Sequence, residues 1–390
     1  MIVTQAAQAV NGMTAEVIGA EAIQTEDLSN IVDVGKQVFD VTSVENAWHS
    51  LIDQVGKIVV SGRLYTPKLV SVMHESWEYG SVKMIVEMAD LPEATENESW
   101  ELEDGRTYNQ DIYTKSDVKA RFYNSKVTFE IPVSRPEIQI REAFQSAEQM
   151  LATLTLIETQ IKTSMNAKLE QLAKRTITNA IADTIADAYG TTNPDYTQAG
   201  NTRAINLLKR YNDEFGTSLT AAHALKDAEF LRYAALTIKL NVDRMTELST
   251  LYNLQGYTTF TPKDMLNIVM LSEFRNGIDV YLYGNKGEFK SDEYAKLPAA
   301  ETIASWQGSG TDYAFSSTSK INVKTKMNNE VEVSGILAVA FDHDAIGIAN
   351  EFPRTRTHVN DKAEFVNAWH KMDAQYWNLY TKNIVVYFVA

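Results

Sequence analysis

The chain has 390 residues, of which 44% are hydrophobic and 22% charged. These are ordinary globular proportions, with enough length for two or three domains. It contains no cysteine, which excludes disulfides, thiolate zinc sites and cysteine nucleophiles. A net charge of −15 without any basic run argues against direct reading of DNA or RNA, because phosphate binding draws on clustered Lys and Arg.

An acidic wall can still face DNA without holding it. No run of 18 apolar residues occurs, so no membrane span is expected. The first basic residue is Lys36, and a start without basic residues does not read as a secretory signal.

In chain order, residues 1–30 are rich in Ala, Gln, Thr and Glu, and Ala6, Ala7 and Val10 give only weak helical spacing. The reading is an arm that orders against a partner. Residues 31–56, with Val38, Phe39, Val41, Val44, Trp48, Leu51 and Ile52, predict a short helix ending near Gly56. β signals follow at Lys57–Val60 and Leu64–Val72, and alternation at Ser81–Met88 and Val118–Ile131 predicts two more strands. The polar residues 89–117 between the last two imply a long two-stranded excursion with a wide tip.

That tip is strongly acidic. Residues 87–111 hold nine carboxylates and a single base, Arg106, about half the net charge of the chain. Three uses stay open: a solvated loop, a contact on a basic patch of another subunit, or oxygen ligation of a cation. The spacing lacks the turn glycine of a calcium loop. If the tip docks, the candidate contact residues are Glu93, Glu96, Glu98, Glu101, Glu103 and Asp104.

The most distinctive stretch lies between Pro136 and Gly190. No proline or glycine interrupts its 53 residues. Phe144, Ala147, Leu151, Leu154, Ile157, Ile161, Met165, Leu169, Leu172, Ile177, Ile181, Ile185 and Ala188 recur mostly at steps of three and four, one apolar stripe on a helix. At roughly 1.5 Å per residue a single rod would reach about 75–80 Å. The competing reading is two shorter helices with a kink, because Asp183 and Asp187 sit near the negative helix end. The apolar face is expected to meet the terminal strand 383–389.

Beyond it, Ala204–Phe215 reads as a helix closed by Gly216, and Asp227–Leu251 as another. Met265–Leu271 reads as a buried strand, Ile278–Tyr283 as a strand before a tight turn, Val331–Phe341 as a buried strand, and Asn383–Val389 as a terminal strand in a central sheet.

Chemistry is scarce. Six histidines, at 49, 74, 223, 343, 358 and 370, include no HExxH pair. Asp342-His343-Asp344 follows a strand directly and reads as a turn with a satisfied histidine, not a ligand cluster. Gly308-Ser309-Gly310 lacks the third glycine and helix of a phosphate cradle. Phe365, Trp369, Tyr376, Trp377, Tyr380, Tyr387 and Phe388 read as core or subunit interface. No catalytic, cofactor-binding or metal residue is assigned.

The order of arm, long β excursion, very long helix, mixed α/β region and terminal strand resembles the major capsid proteins of tailed bacteriophages, with the Hong Kong 97 fold. Local matches accompany it: Arg244-Met245, Leu251-Tyr252-Asn253, Phe260-Thr261-Pro262-Lys263-Asp264 and Val269 to Phe274; Ala340 to Gly347; and Asn360 to His370 with Asn367 and Trp369. Ala363 stands where the family usually has glycine.

The resemblance implies an α+β Hong Kong 97-type fold: N-terminal arm 1–56, E-loop and its base strands 57–131, P-domain with the spine helix 132–200, mainly A-domain 201–340, and return to the P-domain with the C-terminal strand 341–390. It implies no enzyme and no cofactor, but a structural head protein whose hexamers and pentamers close an icosahedral shell around double-stranded DNA. The implied partners are further copies of the chain, a separate scaffolding protein, a portal, and packaged DNA enclosed without sequence-specific contact. The implied location is the virion, after assembly in the bacterial host cytoplasm. An encapsulin-like shell shares the fold and is the nearest competitor; a soluble α/β enzyme is the remote one.

Overall fold

The computed structural model describes residues 2–19, 28–61, 68–74, 83–88, 104–105, 111, 118–283, 300–307, 314–324 and 330–390. It divides into two compact units. The first comprises Met1–Tyr79, Ser125–Ala173 and Ile348–Tyr376, and the second Gly80–Asn124, Lys174–Gly347 and Trp377–Ala390.

The N-terminal residues do not await a partner. Val3–Ile18 form helix α1, closed by Gly19 in the left-handed region (φ 74°). Its Ala6, Ala9, Val10 and Met13 are completely buried, a stripe that small residues make faint in the sequence. Helix α2 is Ile31–Val41 and α3 is Val44–Ser61. The Ser50 hydroxyl of α3 donates to Glu16 of α1 at 2.6 Å.

Helix α3 overturns two expectations. It runs through Gly56, and Lys57–Val60 form its last turns, not a strand. Ala47, Trp48, Leu51, Ile52 and Val55 are buried at helical spacing, so packing of that stripe overrides the local β preference. Of the strand expected at Leu64–Val72, residues 64–67 lie outside the described residues, and 68–74 make a single 3₁₀ turn, Val70–Val72, and a bridge from Met73 to Ile348.

Strands β1 (Lys83–Met88) and β2 (Val118–Tyr123) pair antiparallel, whereas the single strand expected at Val118–Ile131 is two: it breaks after Tyr123, and its second half joins a different sheet. β3 is Lys126–Pro136. The stretch after Pro136 is not one rod. α4, Glu137–Ala143, ends in a turn, and Ser146 restarts the chain by accepting from the Gln149 backbone N–H at 3.2 Å.

Helix α5 then runs unbroken over 43 residues, Ala147–Tyr189, about 65 Å. Its residues to Ala173 belong to the first unit and those from Lys174 to the second. Both acidic residues near its negative end have local partners: Tyr380 donates its hydroxyl to Asp183, and the Arg203 guanidinium pairs with Asp187 at 2.5 Å. Tyr189 in its last turn meets Phe388 of the terminal strand edge-on at 5.7 Å.

The following elements are β4 (Ala204–Asn206), α6 (Leu207–Phe215), α7 (Ala221–Ala224), α8 (Ala228–Met245), β5 (Leu266–Leu271), α9 (Ser272–Ile278), β6 (Ala300–Ile303), α10 (Phe315–Thr318), β7 (Ile321–Lys324), β8 (Glu330–Val333), β9 (Ile336–Asp342), β10 (Ile346–Asn360), β11 (Phe365–Asn378) and β12 (Ile384–Phe388). Residues 204–206, expected as helix, pair instead with β12. The expected strand Ile278–Tyr283 is helical, ending α9 and continuing as a π turn; Phe274 and Ile278 bury one face, and Arg275 pairs with Asp279 across one turn at 3.3 Å. The single strand expected at Val331–Phe341 is two, β8 and β9. Gly335 between them takes φ 85°, and a Cβ there would lie 1.9 Å from the Val389 carbonyl oxygen.

In the first unit β10, β11 and β3 form a three-stranded sheet. Its buried residues include the apolar Val366, Ala368, Met372, Ala374, Ile131 and Val133, with His370 among them. The second unit is organised on a five-stranded sheet in the order β4-β12-β9-β5-β6. The terminal strand is interior, and all five of its residues are buried.

Candidate functional site

The clearest surface is the β1–β2 ribbon. Met84 lies directly opposite Phe122, and Ile85 opposite Arg121. Alternation therefore sends Met84 and Phe122 to one face and Arg121 to the other.

The Arg121 face is held by its own chain: the guanidinium donates to Gln255 and lies 6.0 Å from the Tyr257 ring, with the Lys119 ammonium 5.5 Å from the same ring. Asn253 builds that loop, accepting from the Tyr257 N–H at 2.9 Å and donating to its carbonyl at 2.6 Å. The opposite face is open, with Met84 57% and Phe122 66% exposed.

Around the ribbon's support lies more exposed apolar surface. Ser249 and Thr259 bridge through two backbone hydrogen bonds of 3.0 and 3.1 Å, and their neighbours Leu248 and Phe260 both face solvent. Leu236 and Leu240, one turn apart on α8, are also exposed. Sequence periodicity missed these positions because an apolar residue on a helix or ribbon reads as core whether or not anything covers it.

Of the six acidic contact candidates, Glu93, Glu96, Glu98, Glu101 and Glu103 lie outside the described residues. Asp104 is described, exposed in a turn beside Gly105 (φ 87°). The Gly308-Ser309-Gly310 loop also lies outside them.

The Asp342-His343-Asp344 segment is a turn, and a structural one. Asp342 accepts from the Thr261 hydroxyl at 2.8 Å and from the Asp344 N–H at 2.9 Å. Burial pushes its pKa up against these hydrogen bonds. Asn383 donates to Thr261 at 3.1 Å, so the knot ties β9, β12 and the loop after α8. His343 donates its backbone N–H to the Met265 carbonyl at 2.8 Å. Among the aromatic residues, Trp377, Tyr387 and Phe388 are core, whereas Phe365, Trp369, Tyr376 and Tyr380 are half-buried.

On the outer face of the first sheet Asp373 receives a bidentate pair from Arg354 at 2.9 and 3.0 Å and a hydroxyl from Thr128 at 2.6 Å. Burial opposes its ionisation, but these donors outweigh it and hold its pKa below the usual carboxylate range. Among the described residues no three His, Asp or Glu side chains gather as a metal site, and no helix is long and apolar enough to cross a membrane.

A family model of phi29-like phage major capsid proteins matches residues 8–388. The chain belongs to that family. The capsid protein is also similar to a solved chain in the capsid of Staphylococcus phage Andhra, at 12% identity over 82% of this chain and 83% of that one, with a TM-score of 0.51. That likeness places it in the Hong Kong 97-type fold. Further matches are to a chain from native bacteriophage P68 (13% identity, 84% and 85% covered, TM-score 0.48) and one from the capsid of Cyanophage P-SCSP1u (14%, 82% and 86%, 0.42). No curated protein sequence matches. The capsid protein's family and fold are structural, and its place is the virion.

Proposed function

We propose that the chain self-assembles as hexamers and pentamers into an icosahedral shell enclosing packaged double-stranded DNA. Residues 1–56 would act as N-terminal arm, 57–131 as E-loop and base, 132–200 as the P-domain with its spine helix, 201–340 mainly as A-domain, and 341–390 as the return to the P-domain. The observation that carries this reading is the ribbon. One face is tied to its own chain, and the other offers Met84 and Phe122 to solvent on a sheet that has two strands among the described residues. Such a surface is a liability for a monomer and suits contact with a neighbour.

Assembly takes place in the bacterial host cytoplasm on a separate scaffolding protein, with a portal at one vertex. The net charge of −15 suits a container whose wall repels the enclosed polyanion and makes no sequence-specific contact. The test is electron microscopy of purified protein at high concentration, and of particles recovered from cells. DNA-filled shells are expected. A small monodisperse monomer under all conditions, or shells loaded with an enzyme instead of DNA, would overturn the proposal.

A further inference from the structure

We draw no further inference here: the strongest candidate, the hollow of about 730 Å³ in the second unit between α7, α9, α10 and the end of the terminal strand, is walled by apolar side chains such as Leu225, Val280 and Phe315, and nothing in the structure shows what covers it.

Discussion

Gly56 lies inside α3, where alanine would ordinarily add about 1 kcal/mol of helix stability. Here the added Cβ would sit 2.5 Å from Cε1 and 2.9 Å from Nδ1 of His370, whose ring is 2% exposed. The imidazole comes from the middle of β11 and has little room to retreat, so overpacking costs about 1–3 kcal/mol. Gly56→Ala should therefore destabilise the protein by about 1 kcal/mol net. In a His370→Ala background the obstacle is gone, and the same substitution should stabilise by about 1 kcal/mol, a coupling of about 2 kcal/mol. Thermal and urea unfolding of the unassembled protein, followed by circular dichroism, reads the four-member cycle; about 2–4 °C per kcal/mol is expected for a unit of this size. A Gly56→Ala effect of the same sign and size in both backgrounds would refute the steric argument.

Four other outcomes follow from the same structure. Leu154→Asp and Ile161→Asp each put an unpaired charge at a fully buried position of α5, and should destabilise the subunit by more than about 3 kcal/mol; soluble, normally melting variants would remove this face from the core. His370 is held neutral: burial depresses its pKa, with Asp53 opposing in part. Its unfolded value is about 6.5, so no dependence is expected above that pH, and stability should fall as pH drops from about 6.5 toward the lower folded value; melting of wild type and His370→Ala from pH 8 to 5 should diverge only below 6.5. Phe122→Ser on the open ribbon face should leave the melting temperature within about 1 °C yet reduce shell yield, since surface changes are usually within about 0.5 kcal/mol; unchanged yield by light scattering would count against the ribbon as a contact. Charge reversal at Glu96, Glu98, Glu101 and Glu103 should impair assembly more than folding, and normal shells from that variant would reject docking by the acidic tip.

The sequence by itself determined the features that depend on local pattern. The long glycine- and proline-free stripe specified α5, the alternation at Ser81–Met88 and in the first half of Val118–Ile131 specified the ribbon strands, and the apolar run Asn383–Val389 specified an interior strand. The order of elements together with the local matches at 244–274, 340–347 and 360–370 carried the resemblance to capsid proteins, although identity to the solved Staphylococcus phage Andhra chain is only 12%.

Tertiary structure decided what local pattern leaves ambiguous. Lys57–Val60 and Ile278–Tyr283 are β-rich in composition, yet helical because the stripes they extend are already buried. Gly56 looked like a helix stop and is a clearance for a ring more than 300 residues away in sequence. Asp183 and Asp187 looked like reasons for α5 to break, until Tyr380 and Arg203 arrived from elsewhere to satisfy them. Trp48 Nε1 and Arg135 Nη2, buried with no acceptor among the described residues, carried no sequence signal. Whether a buried N–H has a partner is fixed only once every neighbouring element is in place.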